Sequence, residues 1–232
     1  MDRRGFIHMG AAGLAAFLAG CDSYGPKSAK PLLRLAERGN EKLERDLFRH
    51  TSMDHTGSRL VGRGMPSYYI SDAVPVWDTR AMGTWTLEVT GLVQRPLRFT
   101  LDQLVKLRSV RQRQDHFCVE GWTATSEWTG VRVSELARLA GLAPEARYVD
   151  FQSFDSDYHE SWDLESALHP RTMVAYGREG RLLDPAWGAP ARLHSPVKLG
   201  YKNTKYLTKI VFMPQRNGGY WSDQGYEWYG GT

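Results

Sequence analysis

Short runs in which apolar and polar residues alternate, or in which β-branched and aromatic residues are concentrated, recur along most of the chain and predict β-strands. Residues 173–183 predict a hairpin that turns at 177–180. The other strand-like runs are residues 68–70, 85–89, 110–117, 148–154, 191–195 and 206–213.

Three stretches carry helical signals instead. Residues 31–48 place leucines among charges and predict a partly helical lead-in with a break at Gly39-Asn40, followed by an irregular arm over 51–66. Thr100 can cap a short helix over 100–104, and residues 133–142 predict a helix capped by Ser134 with Gly141 near its end.

Many short strands with few helices predict a single α+β domain rich in mixed β-sheet. Strands do not alternate with helices around a GxGxxG turn, which disfavours a Rossmann dehydrogenase.

Composition narrows the class of protein. The chain has 232 residues, of which 41% are hydrophobic, enough for one domain with a core. Its formal net charge of +4 comes from scattered basic residues, so we expect a soluble surface and no nucleic-acid partner.

The N-terminus predicts export. Residues 1–21 combine Arg3 and Arg4 with a short apolar run over 10–19, which is typical of a signal peptide. The start resembles the twin-arginine signal, which exports folded proteins to the periplasm. Residues 18–21, Leu-Ala-Gly-Cys, resemble a lipobox, so an acylated Cys21 would anchor the protein to the membrane surface. Conventional cleavage is the alternative. Residues 22–66 then form a linker and irregular arm, and residues 67–232 the folded domain.

The chain has two cysteines. If Cys21 is acylated, Cys118 is the remaining thiol and has no internal disulfide partner. Cys118 is then either a buried apolar side chain or a ligand or nucleophile.

The residues around Cys118 carry a resemblance. Cys118-Val119-Glu120-Gly121-Trp122, followed by Trp-Thr-Gly at 128–130, resembles the oxidoreductase molybdopterin-binding family, which has the sulfite oxidase fold. The resemblance spans residues 68–213 and is strongest to the catalytic subunits of periplasmic methionine sulfoxide reductases. It implies a molybdenum–molybdopterin cofactor, with Cys118 as a catalytic residue and metal ligand. A soft thiolate suits such a metal.

A second motif lies in residues 188–193, Gly-Ala-Pro-Ala-Arg-Leu, and the following loop at 198–205. In the family this region clasps the phosphate and pterin, which an Arg fork, a Lys and backbone N–H groups can do. Taken alone, the same residues would suit a solvated surface hairpin. The resemblance assigns cofactor binding to Arg192, Asn203, Thr204 and Lys205.

Four further positions follow from the resemblance. Ser153 stands where a relative has Thr, and Asp72 where sulfite oxidases have Asn, so both are expected to bind cofactor. Trp187 replaces an Asn or His and either binds cofactor or forms a pocket wall. Tyr158 either matches the active-site Tyr of sulfite oxidases or is a half-buried strand-end residue.

The direction of the reaction depends on charge. Sulfite oxidases carry Arg at two places where this chain has Ser71 and Trp122, and a dianionic substrate needs such cations. Trp122 suits a neutral substrate, so we predict reduction of an S-oxide or N-oxide. Sulfite oxidation is the alternative, with Arg111 or Arg113 as the missing cation.

Two other classes of protein stay open. A metal-free binding or assembly protein could keep the fold, although it would not need Cys118, Arg192 and Lys205. A thiol peroxidase or hydrolase could use Cys118 with His116 as base. His159 and His194 are expected to be structural or exposed.

A reductase needs electrons, and the chain has no Cys-x-x-Cys-His haem motif. The resemblance therefore implies a haem-containing membrane partner.

Overall fold

The computed structural model describes residues 30–47, 58–59 and 64–232. The signal-peptide and lipobox predictions for residues 1–21 lie outside these residues. Helix α1 (Lys30–Leu47) is continuous, so the predicted break at Gly39-Asn40 is wrong. Glycine inside a helix costs only about 1 kcal/mol and removes no backbone hydrogen bond. The next turn also carries an ion pair between Glu41 and Arg45 at 2.7 Å.

The remaining described residues form two β-sheets with short helices. The strands of the first sheet are β2 (Thr86–Gly91), β3 (Leu97–Thr100), β6 (Tyr148–Ser153), β7 (His159–Asp163) and β11 (Leu207–Met213). Their order is β3-β2-β11-β6-β7, and only β2 and β11 run parallel.

The strands of the second sheet are β1 (Ser58–Arg59), β4 (Ser109–Phe117), β5 (Trp122–Arg132), β8 (Met173–Arg178), β9 (Arg181–Leu182) and β10 (Arg192–His194). Their order is β1-β5-β8-β10, with β4 paired to β5 and β9 paired to β8. β1 is parallel to β5, whereas the other pairs are antiparallel. This architecture confirms the prediction of an α+β domain with mixed sheets.

Short helices connect the strands and close the core. They are α2 (Thr79–Met82), α3 (Leu101–Val105), α4 (Val133–Ala140) and α5 (Leu164–Leu168). Thr100 caps α3, as its sequence predicts, and its side chain and that of Gln103 form a reciprocal capping box. The cap of α4 is Arg132 without a side-chain hydrogen bond, so the prediction of Ser134 as the cap is wrong. Gly141 ends α4 in the left-handed conformation, as predicted.

The core lies between the two sheets. Leu87, Val89 and Phe151 come from the first sheet, and Val131 and Leu193 from the second, all of them fully buried in one cluster. Burial of each such side chain contributes about 1.5–3 kcal/mol. A smaller cluster surrounds Trp128 on the other face of the second sheet. This packing holds the ends of β4, β5, β6 and β10 in place, and the loops at these ends carry the cavity described next.

The prediction of a strand at 68–70 is wrong. The backbone N–H groups of Ile70 and Ser71 donate to the carboxylate of Asp155 at 2.8 and 3.0 Å instead of to a neighbouring strand. Asp155 is buried and lies in the β6–β7 loop. The segment is therefore held against the domain by a side chain distant in sequence.

Candidate functional site

A cavity of about 530 Å³ opens between the loops at one end of the sheets. Its walls come from the segment before α2, the β4–β5 turn, the β6–β7 loop and the loops on both sides of β10. The C-terminal segment, residues 217–232, supplies a further wall. This volume is within the range that binds small ligands and cofactors.

Cys118 lies in the turn between β4 and β5 and lines this cavity. Its N–H donates to the carbonyl of Trp122 at 2.9 Å, and its carbonyl accepts from Gly121 at 3.0 Å. Gly121 has a φ of 85°, which favours glycine and lets the turn close. Burial raises the pKa of the Cys118 thiol, and the Glu120 carboxylate raises it further. A metal cation at the sulfur would offset both effects and hold the thiolate.

Glu120 is a polar wall residue beside the thiol. Its Oε2 accepts from the indole N–H of Trp122 at 2.9 Å and from the hydroxyl of Tyr68 at 3.0 Å, and lies 3.8 Å from the Cys118 Sγ. These donors lower the pKa of Glu120, that of Trp122 most strongly. The sequence places Glu120 in the cysteine motif but does not show that its carboxylate lies beside the sulfur.

Arg192 is a buried cation whose partners are carbonyl groups. Its guanidinium donates to the carbonyl oxygens of Leu193, Trp187 and Asn203 at 3.1, 3.2 and 3.3 Å. Burial lowers the pKa of Arg192 to about 10. Among the described residues, no carboxylate lies within ion-pair distance of it, so its charge is available to an anionic ligand.

Lys205 is a second cation of the cavity, partly buried, whose partners are carbonyl and hydroxyl oxygens. Its Nζ donates to the carbonyls of Tyr68 and Ala186 at 2.6 and 2.8 Å and to the Ser67 hydroxyl at 3.2 Å. Burial, with a smaller effect of Arg192, lowers the pKa of Lys205 to about 7. A nearby anion would raise this pKa again, because it favours the charged ammonium.

Gly188 allows these two cations to approach the turn before β10. It has a φ of 98°. A Cβ at this position would lie 3.0 Å from the Cβ of Lys205 and 3.2 Å from the Cβ of Arg192. A side chain here would therefore be strained and would separate the two cations from the turn.

The cavity brings together most of the residues that the sequence proposes for the site. Those that line it are Cys118, Ser153, Tyr158, Trp187, Arg192, Asn203 and Lys205. Asp72 is exposed and does not line the cavity. Thr204 is fully buried behind the lining, where its hydroxyl donates to the carbonyl of Phe151 at 3.4 Å. The roles of these residues in cofactor binding stay predictions.

Asn203 and Tyr158 also hold the cavity wall. The Asn203 amide accepts from the Ser195 N–H at 2.6 Å and donates to the carbonyls of Lys198 and Leu199 at 3.1 and 3.0 Å. The Tyr158 hydroxyl donates to the carbonyl of Tyr201. Burial raises the pKa of Tyr158 well above its usual value, so the phenol stays protonated.

His116 lies at the cavity and His194 behind it. The His194 ring is stacked between Trp128 and His116, with ring centroids at 4.1 and 5.8 Å. Burial lowers the pKa of both histidines far below the usual value, which keeps both rings neutral. In the described part of the chain, the Cys118 thiol contacts the carboxylate of Glu120 and makes no hydrogen bond to the His116 ring. The geometry therefore does not favour a nucleophilic cysteine activated by histidine. His194 is fully buried, and His159 pairs with Asp150 at 2.9 Å.

Comparison with known proteins gives one family. The model of the oxidoreductase molybdopterin binding domain matches residues 72–221. A putative protein-methionine-sulfoxide reductase subunit, YedZ1, of Azospira oryzae is 37% identical over 235 residues, covering 99% of this chain and 88% of its own length.

More distant relatives are protein-methionine-sulfoxide reductase catalytic subunits, MsrP. Those of Xanthomonas campestris and Ralstonia nicotianae are each 31% identical and match 62% and 57% of this chain. The matches span 50% and 44% of these two relatives, about half of their length. The crystal structure of the sulfane dehydrogenase SoxCD from Paracoccus pantotrophus is similar with a TM-score of 0.54. It is 23% identical, covering 56% of this chain and 38% of that chain, which is a likeness of fold.

Proposed function

Because the chain belongs to the oxidoreductase molybdopterin-binding domain family and is a molybdopterin-dependent oxidoreductase, we propose that it reduces S-oxides or N-oxides. The cofactor would supply the oxygen-atom transfer and the change in oxidation state. The relatives named as methionine sulfoxide reductases support this direction of reaction.

The residues of the cavity fit this cofactor. The Cys118 thiol provides a soft ligand for molybdenum. Arg192 and Lys205, which have no carboxylate partner in the described part of the chain, provide positive charge for its phosphate. Ser153, Trp187 and the loop fixed by Asn203 would then enclose the pterin.

The observation that carries the choice of substrate is where the cations of the cavity lie. Among the described residues that line it, Arg192 and Lys205 are the only Lys or Arg side chains, and both lie at the Gly188 turn. Next to Cys118 lies the Glu120 carboxylate, which would repel an anion. A neutral oxide avoids this repulsion, whereas a sulfite dianion does not.

The two positions at which sulfite oxidases carry Arg hold no cation in this chain, and their side chains or backbone are bound to carboxylates. Ser71 is bound to the Asp155 carboxylate, and the Trp122 indole N–H donates to Glu120. Arg111 and Arg113 are exposed and lie outside the cavity lining, and Arg111 is 3.5 Å from Glu127. We therefore do not assign either arginine to an anionic substrate.

A side-by-side assay tests this proposal. With a reduced artificial donor, molybdenum-replete enzyme should reduce dimethyl sulfoxide, methionine sulfoxide or trimethylamine N-oxide. Its kcat/KM for sulfite oxidation should be lower by about a hundredfold or more, since the missing cations cost several kcal/mol of transition-state binding. Metal analysis should give equimolar molybdenum, which a metal-free binding protein would lack. Efficient, salt-sensitive sulfite oxidation without oxide reduction would refute the proposal.

Electrons for the reduction must come from another protein or domain. We propose a haem-containing membrane partner, which is supported by the naming of the Azospira relative as a subunit. In the described part of the chain, no helix is both long enough and apolar enough to cross a bilayer.

We further propose that the enzyme works at the periplasmic face of the inner membrane. The support is the twin-arginine pattern at Arg3 and Arg4 and the lipobox that ends at Cys21, all outside the described residues.

Arg3→Lys with Arg4→Lys should leave active enzyme in the cytoplasm, because the cofactor is inserted before export. Cys21→Ala should release exported enzyme from the membrane fraction. An unmodified mature N-terminus in the mass spectrum of the native protein would contradict the lipid anchor.

A further inference from the structure

Five aromatic side chains form a continuous series along one side of the cavity. Adjacent ring centroids are 5.5, 5.2, 5.0 and 5.3 Å apart along the series. We call this series the aromatic wall, and its members in spatial order are Tyr158, Tyr220, Trp221, Tyr226 and Tyr201. All five line the same cavity as Cys118. The Tyr158 hydroxyl donates to the Tyr201 carbonyl, which links the two ends.

Three of these rings belong to the C-terminal segment, residues 217–232, and that segment is anchored to the domain. The backbone N–H of Trp221 donates to the buried carboxylate of Glu160 at 2.9 Å. The Tyr201 hydroxyl donates to the Glu227 carbonyl at 2.6 Å, and the Leu199 N–H to the Gly230 carbonyl at 2.8 Å. These anchors fix the rings before a ligand arrives, so little entropy is lost when one binds.

The chemistry of the wall complements an oxide substrate. The sulfur of an S-oxide and the nitrogen of an N-oxide carry positive charge, which also polarises the methyl groups bonded to them. Aromatic faces attract such groups through the ring quadrupole, and thioether sulfur also makes favourable contacts with aromatic rings. No Lys or Arg among the described cavity-lining residues belongs to the wall, since Arg192 and Lys205 lie at the Gly188 turn. The ring faces of the wall therefore offer negative potential, and of these two cations Arg192 acts on the Tyr158 end of the wall.

We propose that the aromatic wall binds the positively polarised, methyl-bearing sulfur or nitrogen of the substrate, and that Tyr220, Trp221 and Tyr226 determine substrate specificity. This inference rests on the proposed oxide-reductase function and adds the residues that select the substrate. The wall holds the part of the substrate that stays behind, while the oxygen points to the metal site at Cys118. Because the positive charge on sulfur or nitrogen falls as the oxygen leaves, the wall binds the ground state at least as strongly as the transition state, so its loss should raise KM without lowering kcat.

Variants of two wall residues test this role through steady-state kinetics. Trp221→Leu and Tyr226→Leu keep apolar bulk but remove an aromatic face, and each should raise KM for trimethylamine N-oxide about tenfold with kcat within about twofold. Tyr226→Phe keeps the face and should retain the original KM. Tyr226 is 41% exposed, so its variant tests the proposal even if Trp221→Leu does not fold. Leu182→Ala, on an exposed β9 residue outside the cavity, is the control.

Binding of a probe that cannot be reduced provides a second test on the molybdenum-replete enzyme. Choline and 3,3-dimethylbutan-1-ol have the same shape, but only choline carries a charge. Calorimetry should show about tenfold tighter binding of choline, and Tyr226→Leu should abolish this preference.

The two tests separate this inference from the proposed function. A wild-type enzyme that prefers choline but reduces no S-oxide or N-oxide would keep the aromatic wall and reject the reductase proposal. An enzyme that reduces these oxides, shows unchanged KM in both leucine variants and binds both probes equally would overturn the role of the wall.

Discussion

Replacement of Cys118 by serine is expected to lower kcat/KM for oxide reduction by about a thousandfold or more, because a hard, protonated hydroxyl cannot replace a soft thiolate as a metal ligand. The fold should survive. The Cys118 side chain is only part-buried, and its described contact is the 3.8 Å approach to Glu120. The melting temperature should therefore stay within about 4 °C, which corresponds to about 1–2 kcal/mol for a domain of this size.

Turnover, molybdenum content and thermal unfolding are to be measured on the same preparation of Cys118→Ser. Cys21→Ser removes the other cysteine of the chain and is the matched control, with turnover expected to be unchanged. A Cys118→Ser enzyme with full turnover and bound molybdenum would show that the thiolate is not the metal ligand. A variant that unfolds would instead assign Cys118 a packing role.

Replacement of Lys202 by methionine is expected to lower the free energy of unfolding by about 3–5 kcal/mol, the usual cost of leaving a buried charge without its partner. Lys202 and Glu160 are both fully buried, with Nζ and Oε2 2.5 Å apart. Burial raises the pKa of Glu160 and lowers the pKa of Lys202. Glu160 also accepts a hydrogen bond from the backbone N–H of Trp221. Loss of the Lys202–Glu160 ion pair should therefore loosen the aromatic wall as well.

Urea denaturation monitored by circular dichroism measures this loss. Lys209→Met breaks an ion pair with Glu88 of 3.3 Å at the surface and is the matched control, with an expected loss of at most about 1 kcal/mol. The double variant Glu160→Gln/Lys202→Met should be more stable than Lys202→Met, because the amide is neutral and still accepts from Trp221. Equal losses for Lys202→Met and Lys209→Met would contradict a buried ion pair.

The loss in Lys202→Met should also depend on pH. Without Lys202, burial raises the pKa of Glu160 further above its unfolded value of about 4.3. A carboxyl with a raised folded pKa binds more protons in the folded state, so its contribution is most favourable at low pH and is lost as the pH rises through the folded pKa. The difference from the wild type should thus be smaller near pH 5 than near pH 8.

Local signals in the sequence determined the secondary structure where a few neighbouring residues suffice. The capping residue Thr100 predicts the start of α3, and Gly141 predicts the end of α4. Alternation over β2 predicts which of its side chains are buried. The motif at Cys118 and the Gly-Ala-Pro-Ala-Arg run before the Lys205 loop also suffice to predict the family and its cofactor. In each case the chemistry is set by residues close together in the chain.

Contacts between distant segments decided the rest. The run at 68–70 has strand-like residues, but the Asp155 carboxylate accepts its N–H groups and prevents sheet pairing. Neither Lys202 nor Glu160 has a sequence signal for burial, since charged residues are usually exposed and only their pairing permits the buried state. The aromatic wall joins rings from the β6–β7 loop, the loop after β10 and the C-terminal segment. Side chains so far apart in sequence meet only when the two sheets pack, because periodicity describes neighbours along the chain and not neighbours in space.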